Sequence, residues 1–155
     1  MIRLERIHLL SRADKLQPLR HFVRELASQQ GCCDENLDCM VMAINEACMN
    51  VMQHAYGGRE DEEIIIEFWK DDDELLVRIY DFAEKVDLQA IKSRDLNEVR
   101  PGGLGVHIIH QVMDSVEYKN QTEGIGNVLE MRKQLSKPAN CNADLFDKNK
   151  AKNLL

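Results

Sequence analysis

The fold class this sequence predicts is an α+β two-layer sandwich: a mixed, mostly antiparallel sheet covered on one face by helices. Three observations predict it. Apolar residues recur at helical spacing in stretches beginning near Asp14, Asp34 and Gly105. Bulky and β-branched residues alternate around tight turns over residues 64–80 and again over 115–131. Long helices interleaved with hairpins place the helices together on one face of the sheet.

The first strand takes Ile2, Leu4, Ile7 and Leu9, and the charges at Arg3, Glu5 and Arg6 make it irregular. Asp14 is placed to cap the first helix, whose first turn tolerates Pro18. Leu16, Leu19, Phe22, Val23 and Leu26 form its apolar face, and Gly31 ends it. Arg20 and Arg24 share another face, ordinarily a solvated one; either could reach a phosphate if the helix borders a site.

The second helix opens near Asp34 and runs to Gly57-Gly58, with Leu37, Val41, Ile44, Cys48 and Val51 as its buried stripe. Glu46, Asn50 and His54 are spaced four apart and stack along a neighbouring side. A carboxylate one turn from a carboxamide suits a site that activates a hydroxyl and ligates a hard cation. Magnesium takes few protein oxygens and completes its shell from water and phosphates, so Asn50 can be its sole protein ligand. For this helix taken alone, a solvated polar face is the plainer reading.

Ile64, Ile65, Ile66, Phe68 and Trp69 form a strand, and residues 75–80 return after Asp71-Asp72-Asp73, read as a solvated turn rather than a metal cluster. Asp81 ends the returning strand, where a carboxylate can accept a hydrogen bond from an exocyclic amine and so tell adenine from guanine. Over residues 88–100 the periodicity decays. Gly102, Gly103 and Gly105 then precede the apolar run Val106, Ile108, Ile109, Val112 and Met113. Glycines at a helix start let backbone amides approach an anion at the positive end of the helix dipole; a plain Gly-Gly turn is the alternative. Residues 115–118 and 128–131 read as paired strands joined through Gly124 and Gly126. One domain over residues 1–136 followed by a polar tail over 137–155 is expected.

Composition narrows the function classes. The 155 residues are 44% hydrophobic and 30% charged, an ordinary globular balance, and with aromatics at only 5% the core must be mainly aliphatic. The net charge of −7 and the lack of a basic stripe argue against nucleic acid as the main partner. No run approaches the roughly 20 apolar residues of a spanning helix, and the charged first residues do not read as a signal peptide. A cytoplasmic, membrane-free protein is expected. Five cysteines without a C-x-x-C pair read as reduced thiols, with Cys39 and Cys48 buried in the second helix.

The order of these motifs resembles a known family. Glu46 and Asn50 in N-E-A-C-M-N-V-M-Q-H-A-Y-G-G, Asp81 after a strand, and G-G-L-G before a helix are together similar to the GHKL ATPase superfamily, whose Bergerat fold is a two-layer sandwich. Within it, those stretches, with G-N-V-L-E-M-R-K later, resemble the anti-sigma-factor serine kinases of bacterial partner switching. The resemblance covers most of the chain. It implies ATP and Mg2+ as cofactors, Glu46 as catalytic base, Asn50 on magnesium, Asp81 on the adenine amine, Gly102, Gly103 and Gly105 around the phosphates, and a lid over residues 88–100. Ala83 stands where glycine is usual beside the base, because glycine tolerates backbone angles that alanine resists. Asn127 stands where stricter kinases of the branch carry threonine near the base. The implied partners are a STAS-type antagonist protein that is phosphorylated and a sigma factor or phosphatase that is sequestered, with a homodimer left open. The alternative function is a non-catalytic partner-binding module with weak or no nucleotide binding.

Overall fold

A computed structural model describes residues 1–84, 104–121, 124 and 126–136 of the chain. The lid interval 88–100, Gly102, Gly103 and the tail 137–155 lie outside the described residues.

Strand β1 (Ile2–Leu10) pairs antiparallel with β2 (Glu63–Asp71), and its register slips between Arg3 and Glu5, which is the irregularity its charges predict. Helix α1 (Leu16–Gln29) follows a 3-10 turn at Ala13–Lys15. That turn displaces Asp14 from the expected capping position. Lys15 is the N-cap and makes no side-chain cap bond, while Asp14 pairs with Arg12 at 2.9 Å. At the other end Gly31 (φ 81) closes α1 as expected. Its N–H donates to the Ser28 carbonyl at 3.0 Å and the Cys32 N–H to the Ala27 carbonyl at 3.1 Å, the paired bonds of a left-handed C-cap.

Helix α2 (Asp34–Asn50) starts with two acidic residues, which favour the positive end of its dipole. It packs against both α1 and α3 (Leu104–Val112), so it buries more than a single stripe: Cys39, Met40, Ala43 and Ala47 are as enclosed as Ile44 and Cys48. Cys32, Cys33 and Cys48 are free thiols. Cys39 is fully buried and disulfide-bonded, where a reduced thiol was expected. The helix does not run unbroken to Gly57-Gly58. A π turn, Val51–Ala55, replaces its last turn, and the Tyr56 N–H bonds the Val51 carbonyl five residues back.

β2, β3 (Glu74–Asp81), β4 (Ser115–Asn120) and β5 (Asn127–Gln134) complete a sheet of order β1-β2-β3-β5-β4. All its pairings are antiparallel, where a mixed sheet was expected. The crossover through α3 does bring β4 in parallel to β3. The hairpin return of β5 then inserts between them and removes the parallel contact.

Period-two alternation gives the sheet one apolar face toward the helices: Ile64, Ile66 and Phe68, then Leu75, Val77 and Ile79, then Leu129 and Met131. Phe22 of α1 meets Phe68 with ring centroids 5.7 Å apart. The opposite face carries the buried Ile65 and Leu76 together with polar residues that pair with one another. Arg78 donates to Glu130 at 2.9 Å, and Tyr80 and Trp69 both donate to Glu67 Oε2, at 3.1 and 3.0 Å. Among the described residues no helix is long and apolar enough to cross a membrane.

Candidate nucleotide-binding site

Helix α2 holds Glu46 and Asn50 one turn apart, both half-buried. Among the described residues, neither side chain has a hydrogen-bond or ion-pair partner. Burial alone pushes the Glu46 carboxyl above its usual range. Neighbouring polar groups are engaged. Arg20 donates to Asn45 Oδ1 at 2.9 Å and Arg24 pairs with Asp38 at 2.9 Å, so both α1 arginines bind α2 rather than standing free in solvent.

The π turn begins immediately after Asn50; such turns concentrate at functional sites. The spacing that would stack His54 on Asn50 assumes an α-helix, and here that geometry ends at Asn50, with His54 exposed. The same turn delivers Tyr56 into the core, where only 1% of it remains accessible. Its hydroxyl accepts the Phe82 N–H at 2.8 Å and donates to the Glu63 carbonyl at 2.5 Å.

Asp81 closes β3 and is buried. Its Oδ1 accepts Asn127 Nδ2 at 2.9 Å and the Ala83 N–H at 3.1 Å. Burial raises its carboxyl above the usual range, and the hydrogen bonds from Asn127 and Ala83 work against that rise without cancelling it. Ala83 was the residue expected to strain the backbone. Asp72 (φ 56) is the described non-glycine residue with positive φ, so Ala83 holds angles ordinary for alanine, and its methyl packs in the hydrophobic core.

The architecture and this grouping can be set against known proteins. Residues 9–133 match the family model of the histidine kinase-like ATPase domain. The chain belongs to this family. Similar curated proteins include the serine-protein kinase RsbW of Listeria monocytogenes serovar 1/2a, 34% identical over 100 residues that cover 59% of this chain and 64% of that protein. The RsbW of Bacillus subtilis strain 168 is 30% identical over 106 residues, covering 63% of this chain and 66% of that one. The chain thus spans a little under two thirds of the length of the curated relatives it matches. In fold, this histidine kinase-like ATPase domain is similar to a Mycobacterium tuberculosis protein solved with its RsbU and RsbW domains. The TM-score is 0.61 at 15% identity, over 88% of this chain and 34% of that one.

Among the described residues, this ATPase domain brings Asp81, Ala83 and Asn127 into one hydrogen-bonded group and sets Glu46 and Asn50 side by side on α2. Gly105 lies in the first turn of α3. Three residues that sequence reasoning missed support the group. Tyr56 anchors the loop after β3, Gln121 donates to the Asp81 carbonyl at 2.9 Å, and Gly126 passes against that same carbonyl. The signal for Tyr56 was its place before Gly57-Gly58. That for Gly126 was a glycine directly before Asn127.

Proposed function

We propose that this chain is an ATP-dependent protein serine/threonine kinase that phosphorylates an antagonist protein and sequesters a regulatory partner in the cytoplasm. One observation carries the reading: Glu46 and Asn50 are half-buried, adjacent and unpartnered among the described residues, in a fold whose other buried polar side chains are largely engaged. An oxygen-bearing pair left with open hydrogen-bonding capacity fits a magnesium-bound phosphate chain, for which one carboxamide ligand suffices.

Asn50 would hold the magnesium ion, which would supply neutralisation of the phosphate charge. Glu46 accepts the proton of the attacking serine hydroxyl; its raised pKa makes it a better base than an exposed glutamate. Asp81 accepts the exocyclic amine of adenine, and Ala83 carries the backbone beside the base. By the resemblance, Gly102, Gly103 and Gly105 would supply backbone amides to the phosphates. Phosphoryl transfer needs mostly positioning and charge neutralisation, which this set supplies. The curated relatives are named serine-protein kinases, which supports the choice of acceptor. By the same resemblance the substrate is a STAS-type antagonist, and the sequestered partner a sigma factor or a phosphatase.

The test is calorimetric titration of Mg-ATP into the purified protein, followed by radiolabel transfer from ATP to a candidate antagonist. Binding with transfer is expected. Antagonist binding without transfer would make the chain a partner-binding module instead.

A further inference from the structure

Asn127 opens β5 directly opposite Asp81 in the β3–β5 ladder. A side-chain amide has two N–H donors, and Asn127 Nδ2 uses them on Asp81 Oδ1 at 2.9 Å and the Glu84 carbonyl at 3.1 Å. Its Oδ1 accepts from Asn120 at 3.2 Å. The side chain is thereby held on protein atoms, and it ties the end of β3, the loop after it and the β4–β5 hairpin to one carboxylate. The approach depends on Gly126, whose φ of +137 suits glycine and whose added Cβ would lie 2.1 Å from the Asp81 carbonyl oxygen.

We infer that Asn127 is a specificity-determining positioning residue, which selects adenine over guanine-like bases by holding the Asp81 carboxylate as a fixed hydrogen-bond acceptor. The inference rests on the proposed reading of Asp81 as the base-reading group. Adenine presents an amine donor at its six position, whereas hypoxanthine and guanine present a carbonyl acceptor. An ionised Asp81 accepts from the first and repels the second; a protonated Asp81 can donate to the second. Which base wins therefore follows the protonation of Asp81.

Burial favours the protonated form, and Asn127 is the side-chain donor that opposes it. Removing that donor raises the pKa of Asp81 further. ATP binding should then be lost at a higher pH, as pH falls, than in the parent. Among the described residues, the titratable side chain facing Asp81 from another element is Tyr56, which burial pushes up to about 12, outside this range.

The experiment compares ATP with ITP binding between pH 5 and 8 in the parent, Asn127→Leu and Asp81→Ala, with magnesium tripolyphosphate as a probe of the phosphate end. In Asn127→Leu the ATP preference should fall about tenfold or more, the usual worth of a hydrogen bond to a charged group, and the loss should steepen toward low pH. Tripolyphosphate binding should stay parental. An Asn127→Leu protein with parental ATP:ITP ratio and pH profile would overturn the inference. If Asn127→Leu does not fold, Asn127→Asp, which is nearly isosteric, carries the same comparison with the same two outcomes. Parental selectivity in Asp81→Ala would instead overturn the base-reading role of Asp81. That result is distinguishable, because it appears with Asn127 intact.

Discussion

The hydroxyl of Tyr56 receives the backbone N–H of Phe82 at 2.8 Å, across 26 residues of sequence. Through this bond the turn that follows Asn50 is fixed to the residue that follows Asp81. The proposed cation end and the proposed base end of the site are therefore parts of one hydrogen-bonded frame. Tyr56→Phe keeps the ring but leaves the Phe82 N–H and the Glu63 carbonyl without their partner. Stability should drop by about 1–3 kcal/mol, the cost of unsatisfied buried groups. Denaturant unfolding measures that loss, and calorimetry should show weaker ATP binding alongside it. Parental values in both measurements would mean that water replaces the hydroxyl and the frame does not depend on it.

Asn50→Ala deletes the proposed magnesium ligand without touching the core, since Asn50 is half-buried. ATP affinity should fall in the presence of magnesium and change little in its absence. Overlapping titration curves for mutant and parent, across a range of magnesium concentrations, would remove Asn50 from the site.

Glu46→Gln preserves size and removes the base. ATP binding should persist while transfer to the antagonist falls by about 10²–10⁴-fold. The parent carries a pH signature as well. A base works deprotonated, so transfer should rise with pH through a pKa that burial sets above the usual carboxylate range. That rise should be missing from whatever activity Glu46→Gln retains. A mutant with the parental rate and pH profile would assign the base elsewhere.

Gly126→Ala tests the close approach of β5 to β3. The new methyl meets backbone, not a flexible side-chain end, at 2.1 Å from the Asp81 oxygen. Backbone strain of this kind should cost roughly 2–4 kcal/mol. Thermal or denaturant unfolding would register it, and a fully stable Gly126→Ala would show that the hairpin shifts at no cost.

Much of the fold was legible in the letters because it depends on local spacing. Leu19, Val23 and Leu26 face the core because a helix repeats every 3.6 residues, and Ile64, Ile66 and Phe68 do so because a strand repeats every two. The hairpin at Asp71–Asp73 and the stop at Gly31 follow from turn chemistry, which is equally local. Spacing alone put Glu46 and Asn50 on one side of α2, and the order of the later motifs was needed to single them out as a pair.

What the tertiary structure decided involves partners far apart in the chain. Asp14 loses the cap to a 3-10 turn, and α2 ends in a π turn, because packing outweighs the small preferences of individual end residues. The sheet is wholly antiparallel because β5 enters between β3 and β4, a choice that no single strand encodes. Asn127 reaches Asp81 across 46 residues only when the β3–β5 register sets them opposite and Gly126 yields the space. Spacing in a sequence fixes the direction in which a side chain leaves its own element. Only the packed sheet brings it to a particular oxygen, because register and close approach are properties of two segments at once.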